Sequence, residues 1–236
     1  VRRGMYIYIL ERLTSMKSIF LETHYTGKLE LPQKVIAELP KKLVLALPVQ
    51  FLGFLDKLKE QLEKAGKEVQ LFKGLHDKYP GQILGCDVFK FSFANKSDAF
   101  LYIGDGNFHP TALLYENKKP VFCYNPFTSQ LRTLTPDYLE KAHKKKQALL
   151  AKFLQEQNIG ILVTTKIGQY SGRKAEELRE ELEKAEKSVF VFIADEVNFS
   201  QLENFNFIGV WINTACPRIV EDFSALNLLD LKQVGF

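Results

Sequence analysis

The chain has 236 residues, 46% of them hydrophobic and 25% charged, enough apolar material for one large core or two modest ones. A net charge of +4 reads as a mildly basic solvated surface, and no basic, aromatic-studded motif marks direct contact with nucleic acid. Three cysteines without C-x-x-C spacing argue against a disulfide framework and against a self-contained zinc finger, and no apolar run is long enough to cross a bilayer, so the expected location is the cytoplasm.

The opening run Val1–Leu10 is signal-like, but Glu11 and Arg12 interrupt it and no small-residue cleavage site follows, so it is not expected to act as a signal peptide. Residues 1–16 are set apart as an N-terminal extension, with Met16 an alternative start ahead of a strand-like Ser18–Glu22. Beyond them, short β-rich runs alternate with charged amphipathic segments, the pattern of parallel α/β units. Strands are expected at Leu43–Leu47, Val69–Phe72, Ala99–Ile103, Pro120–Tyr124, Gly160–Thr164, Val189–Ile193 and Phe207–Ile212. Helices are expected at Phe51–Lys64, Pro110–Glu116, Pro136–Glu156 and Arg173–Lys184.

The stretch Leu58–Val69 is echoed by Leu178–Val189, and each copy follows a strand and a loop ending near a glutamine, Gln50 or Gln169. Helices rich in Glu, Lys and Leu converge easily, but the matched strand–loop–helix–strand order supports two related lobes. The expected fold is therefore α/β, with two similar lobes, each a small, mainly parallel sheet flanked by helices. The first, 17–134, carries Cys86, and the second, 135–236, carries Cys216. In such sheets the functional loops lie at the carboxyl ends of the strands.

Four loops place glycines and polar residues at such positions. Tyr79–Asp87 carries Cys86 behind two glycines, which suits either close approach to an inorganic ligand or a tight turn around a buried thiol. Ile103–Pro110 holds Gly104-Asp105-Gly106 and His109, and lacks the glycine spacing and lysine of a phosphate loop. It reads as a ligand contact or as a plain helix entry, with His109 able to donate to a carboxylate. Thr164–Arg173 offers hydroxyls, Lys166 and Gly168-Gln169 ahead of a helix, suited to an anionic or amino-acid-like group or to a generic α/β loop. In Trp211–Arg218 a strand runs straight into Cys216-Pro217, where the proline stiffens the chain beside the thiol. Cys123, among apolar neighbours in Val121-Phe122-Cys123-Tyr124, reads as a packing thiol.

In chain order, Gln82-Ile83-Leu84-Gly85-Cys86, Gly104-Asp105-Gly106 with Phe108-His109-Pro110, Lys166 with Gly168-Gln169, and Ala215-Cys216-Pro217-Arg218 resemble the diphthamide-synthesis family, in particular its archaeal form, over roughly residues 17–225. That resemblance implies three similar α/β domains, each giving one cysteine to a central [4Fe-4S] cluster. It implies cleavage of S-adenosylmethionine by radical chemistry and transfer of a 3-amino-3-carboxypropyl group to a histidine of translation elongation factor 2, the first step of diphthamide biosynthesis. By the same resemblance Cys86 and Cys216 are iron ligands, and Gln82, Gly104, Asp105, Gly106, His109, Lys166, Gly168 and Gln169 line the cofactor pocket; no catalytic residue is assigned. The family's first domain, with its cysteine, has no counterpart, because only about forty residues precede Leu43 and none is a cysteine. The chain then corresponds to the last two domains of the family fold, as a truncated or split form or a shortened paralogue, acting as a homodimer or with a partner that supplies the missing domain. The alternative is a non-catalytic, accessory α/β subunit of a complete synthase.

Overall fold

The computed structural model describes residues 21–74, 76–88, 96–221 and 223–236. The extension at 1–16 and the first part of the Ser18–Glu22 segment lie outside them. The chain divides into two compact units, and among the described residues these are Leu21–Glu140 and Lys141–Phe236.

In the first unit β1 (Lys42–Ala46), β2 (Glu68–Leu71), β3 (Ala99–Ile103), β4 (Val121–Asn125) and β5 (Gln130–Leu134) form one sheet in the order β2-β1-β3-β4-β5. The first four are parallel, and β5 returns antiparallel beside β4. All five residues of β3 are buried, as expected for a parallel strand covered on both faces. Alternate residues point to opposite sides: Leu43, Leu45 and Leu101 pack under Leu58 and Leu62 of the helix Leu55–Lys64, while Val44, Phe100 and Tyr102 pack against Leu113, Leu114 and Leu139.

The second unit has β6 (Asn158–Thr164), β7 (Ser188–Ala194), β8 (Val210–Asn213) and β9 (Ala225–Asn227), all parallel, in the order β7-β6-β8-β9. Helices Glu140–Gln155 and Gly172–Lys184 cover one face through Leu150, Phe153, Leu178 and Leu182. The other face is covered by an aromatic cluster in which the Phe192 and Trp211 rings meet edge-on at 4.8 Å. Substituting β6 for β1, β7 for β2, β8 for β3 and β9 for β4 turns the order of the first sheet's four parallel strands into that of the second, and β5 is the first unit's addition.

The sequence echo has a structural counterpart in the way the two equivalent helices stop. Lys67 N donates to Leu62 O and Gly66 N to Glu63 O; Lys187 N donates to Leu182 O and Glu186 N to Glu183 O. Both are the six-to-one and five-to-two bonds of a Schellman end, which needs a left-handed residue at its turn. Gly66 (φ +79°) meets that demand without strain, and Glu186 (φ +62°) meets it with a side chain.

Several expectations shift. The segment expected to be helical from Phe51 begins as a 3-10 turn, Val49–Phe54, before the α-helix starts at Leu55. The helix expected at Pro110–Glu116 spans Phe108–Ala112, so His109 lies inside it, and Pro110 falls in a first turn that asks no intrahelical bond of its nitrogen. The strand expected from Phe207 begins at Val210, since the parallel ladder with β6 opens at Gly209 N to Asn158 O. Strands β5 and β9 carry too little apolar alternation, or too few residues, to have been read as strands.

Candidate functional site

In the first unit the Cys86 loop is built beside the carboxyl end of β1. Leu47 N donates to Gly81 O (2.8 Å) and Ile83 N to Leu47 O (2.9 Å), which lays residues 81–83 parallel to that strand's end. Gln82 is buried, and its Oε1 accepts the N–H groups of Lys78 (2.9 Å) and Tyr79 (3.1 Å). Its carboxamide oxygen thus shapes the turn that delivers the loop. Next to Cys86, buried Asp87 accepts Leu84 N (2.9 Å), and buried Asp77 accepts Gly74 N (2.7 Å). The two carboxyl groups lie against each other, and each has a buried Oδ1 that meets no donor, so one proton held between them satisfies both. Burial first, then the bond to Asp87 and its charge, push Asp77 up to about 8. The sequence reading missed this pair because ten residues separate its members.

Gly85 closes the approach on the other side. A Cβ there would lie 1.9 Å from Cε1 of Phe108, so only glycine lets that ring rest against the backbone beside Cys86. The Cys86 loop therefore touches the loop after β3. In that loop Asp105 Oδ1 accepts Gly106 N (2.7 Å) and Asn125 Nδ2 (2.7 Å), Tyr102 donates its hydroxyl to Asp105 O (3.2 Å), and Arg132 Nη2 donates to Gly106 O (2.7 Å). Asp105 thus holds its own loop to the β4–β5 hairpin, a role that Asn125 and Arg132 give no sequence signal for. His109 stacks parallel to Tyr102, ring centroids 6.4 Å apart, and meets Phe108 edge-on. Gln82, Gly104, Asp105 and Gly106 lie in these two loops at this edge of the sheet, and His109 follows in the helix Phe108–Ala112.

In the second unit the loop after β6 folds against the loop after β7. Thr164 Oγ1 donates to Asp195 O (2.8 Å), Thr165 Oγ1 to Asp195 Oδ1 (3.2 Å), and Lys166 Nζ pairs with Glu196 at 3.0 Å. Gly168 takes φ +81° to turn the chain at Gln169, whose N–H donates to Lys166 O (3.0 Å). Neighbouring β8 leads straight into Cys216. There Thr214 N and Oγ1 both donate to Leu162 O, and Arg218, nearly buried, makes a two-pronged pair with Glu221. Lys166, Gly168, Gln169 and Cys216 therefore share the carboxyl edge of the second sheet.

Cys86 and Cys216 are half-buried, whereas Cys123 sits inside β4 at 2% exposure. Burial pushes the Cys123 thiol up to about 12, which leaves it a packing group rather than a thiolate. Among the described residues no group of three or more His, Cys, Asp or Glu side chains is gathered to hold a metal, and no helix is long and apolar enough to cross a membrane.

This is a two-lobed α/β protein that presents one accessible thiol loop in each lobe, both at the carboxyl edge of the parallel strands. Residues 8–225 match the model of the family described as "Putative diphthamide synthesis protein", and the chain belongs to that family. It is 31% identical to the 2-(3-amino-3-carboxypropyl)histidine synthase of Pyrococcus horikoshii over 193 residues, 80% of this chain and 54% of that protein. The synthase of Methanocaldococcus jannaschii is 30% identical over 72% of this chain and 49% of its own length, and subunit 1 of the Schizosaccharomyces pombe synthase 28% over 77% and 42%. The crystal structure of Dph2 from Pyrococcus horikoshii with a 4Fe-4S cluster superimposes with a TM-score of 0.70 at 28% identity, covering 84% of this chain and 58% of that one. The chain spans about half the length of the curated relatives it matches.

Proposed function

We propose that the chain serves the first step of diphthamide formation, the transfer of a 3-amino-3-carboxypropyl group from S-adenosylmethionine to a histidine of translation elongation factor 2, as a cytoplasmic protein. In this reading Cys86 and Cys216 are ligands of a [4Fe-4S] cluster. The supporting observation is the placement of these two thiols, half-buried in polar loops at the carboxyl edges of parallel strands, within a chain of the diphthamide-synthesis family.

The donor set fits a cluster in part. Each unit offers one such thiol, and the third cysteine is sealed in a strand, so the described residues supply two of the thiolates that a four-iron cluster takes. Further ligation comes from outside them, from another domain or a partner such as a second copy. When bound, the cluster supplies the electron that breaks the cofactor's carbon–sulfur bond. The chain's own residues do the rest. In this reading the 104–106 turn brings backbone close to the ligand, His109 donates to the aminocarboxypropyl carboxylate, and Lys166 of the second unit, paired with Glu196, contributes to the polar loop that binds it.

Anaerobic purification with iron and sulfide analysis tests this reading. Stoichiometric iron that is lost in both Cys86→Ala and Cys216→Ala, with Cys123→Ala unaffected, is the expected result. A folded protein whose iron content is indifferent to both substitutions ends it. The accessory-subunit reading, a chain of the same family that partners a complete synthase, is separated by the same assay. It predicts a chain that holds no iron alone or with a partner, yet co-purifies with a complete synthase.

A further inference from the structure

The Cys216 loop is held by two buried side-chain amides that no part of the proposed chemistry uses. Asn213 is the last residue of β8, Asn227 the last residue of β9, and the two are partners across the parallel ladder. Their exposures are 2% and 9%. Asn213 Oδ1 accepts Ala215 N (3.0 Å), and its Nδ2 donates both to Cys216 O (2.9 Å) and to Asn227 Oδ1 (2.8 Å). Asn227 Nδ2 donates to Pro217 O (2.9 Å). Three consecutive residues, 215 to 217, are thus gripped through their backbone by one amide pair.

The orientation of each amide is dictated by its neighbours. Asn227 Oδ1 also accepts the N–H of Asp230 in a capping box, so its nitrogen is forced toward Pro217. Asp230 in turn accepts Asn227 N (2.8 Å) and pairs with Lys146 at 3.2 Å, which ties the clamp to the helix Glu140–Gln155. Every donor and acceptor of the Asn213 amide is matched, and in a buried site such a fully satisfied network fixes one geometry.

We infer that Asn213 and Asn227 are positioning residues that fix the direction of the Cys216 thiol for iron ligation. The inference rests on the cluster reading above. Asn213→Asp is the sharp test, because it keeps shape and the bond from Ala215 N but turns an oxygen toward two acceptors. Asn227→Asp keeps the bonds that Oδ1 accepts but turns an oxygen toward Pro217 O, and it carries the same readouts where the first variant does not fold. Asn158→Ala, which loses a bond to Phe207 O at the opposite edge of the sheet, controls for a merely structural loss.

Two measurements decide it: iron retained against a chelator after anaerobic reconstitution, and the rate at which a maleimide labels Cys216 in iron-free protein, read by peptide mass spectrometry. Both aspartate variants are expected to hold iron about 10- to 100-fold more weakly, the usual cost of losing a supporting bond around a metal ligand. Both are expected to change Cys216 labelling severalfold while the Asn158→Ala control does not. Wild-type iron retention and wild-type labelling in both variants overturn the inference. If the wild-type chain takes up no iron at all, the cluster reading fails by itself. The positioning claim is then decided by labelling alone: altered Cys216 rates in both variants support it, and unaltered rates end it.

Discussion

In the Leu21–Glu140 unit the accessible thiol comes from the long connection between β2 and β3; in the Lys141–Phe236 unit it comes directly after β8, the strand that corresponds to β3. Where β3 ends, the first unit has Gly104-Asp105-Gly106 instead of a cysteine. The two lobes repeat a scaffold, and each reaches the carboxyl edge of its sheet with a thiol by a different route. They also brace the loop with different chemistry: a pair of carboxyl groups sharing a proton behind Cys86, and a pair of neutral amides behind Cys216. An acid pair is sensitive to pH, and an amide pair is not. Equivalent strands can thus be duplicated while the supports of the loops between them diverge, because the sheet constrains strand ends far more tightly than it constrains connections.

The contrast can be broken most strongly at the acid pair. Asp77→Ala leaves Asp87 buried beside an unpartnered Gly74 N–H, and a loss of about 1–3 kcal/mol is expected in urea denaturation. Asp77→Asn supplies a permanent donor in place of the shared proton and is expected to cost far less. An equal loss in both variants rules out the shared proton.

The same pair makes the pH dependence specific. Asp77 titrates near 8 when folded against an ordinary 3.8, so between those values the folded chain binds more protons than the unfolded one. Stability is therefore greatest at the acid end and falls as the pH rises from about 4 to about 8. Asp77→Asn should flatten that slope, while Asn158→Ala, which adds no titratable group, should leave it in place. Hydrogen exchange read by unit assigns the effect: it belongs in 21–140, and a slope seen equally in the amides of β6 to β9 contradicts it.

Gly85→Ala comes next. Its methyl group overlaps the Phe108 ring, which is half-exposed and can turn toward solvent, so a loss of about 1 kcal/mol or less is expected, relieved in the double variant with Phe108→Ala. Additive effects in that cycle mean that the two loops do not depend on each other. The smallest effect tests the repeat itself. Glu186→Gly should stabilise by up to about 1 kcal/mol and Gly66→Glu should destabilise by about as much, measured by thermal unfolding, because both positions are left-handed. Opposite signs for the same exchange are the signature of one helix end used twice.

Much of the scaffold is legible in the order of residues alone. The runs at β1, β3 and β6 are apolar on both faces, which only a covered parallel strand needs, and the helices between them keep their leucines four residues apart. The four functional loops are legible too, since glycines and a proline crowd the ends of those runs. The supports are not. Asp77 with Asp87, Asp105 with Asn125 and Arg132, and Asn213 with Asn227 are each separated by ten residues or more, and a polar residue in a loop looks the same whether it faces solvent or a buried partner.

For Cys86 and Cys216, the sequence by itself determined that they stand in loops of a recognisable order and kind, because loop chemistry depends on near neighbours. Only the tertiary structure decided what holds each thiol loop in place. In one unit a protonated acid pair and a ring against Gly85 do so, and in the other two amides meet across a parallel ladder. That choice is made by burial and by pairing at a distance, two quantities that no local pattern of residues encodes.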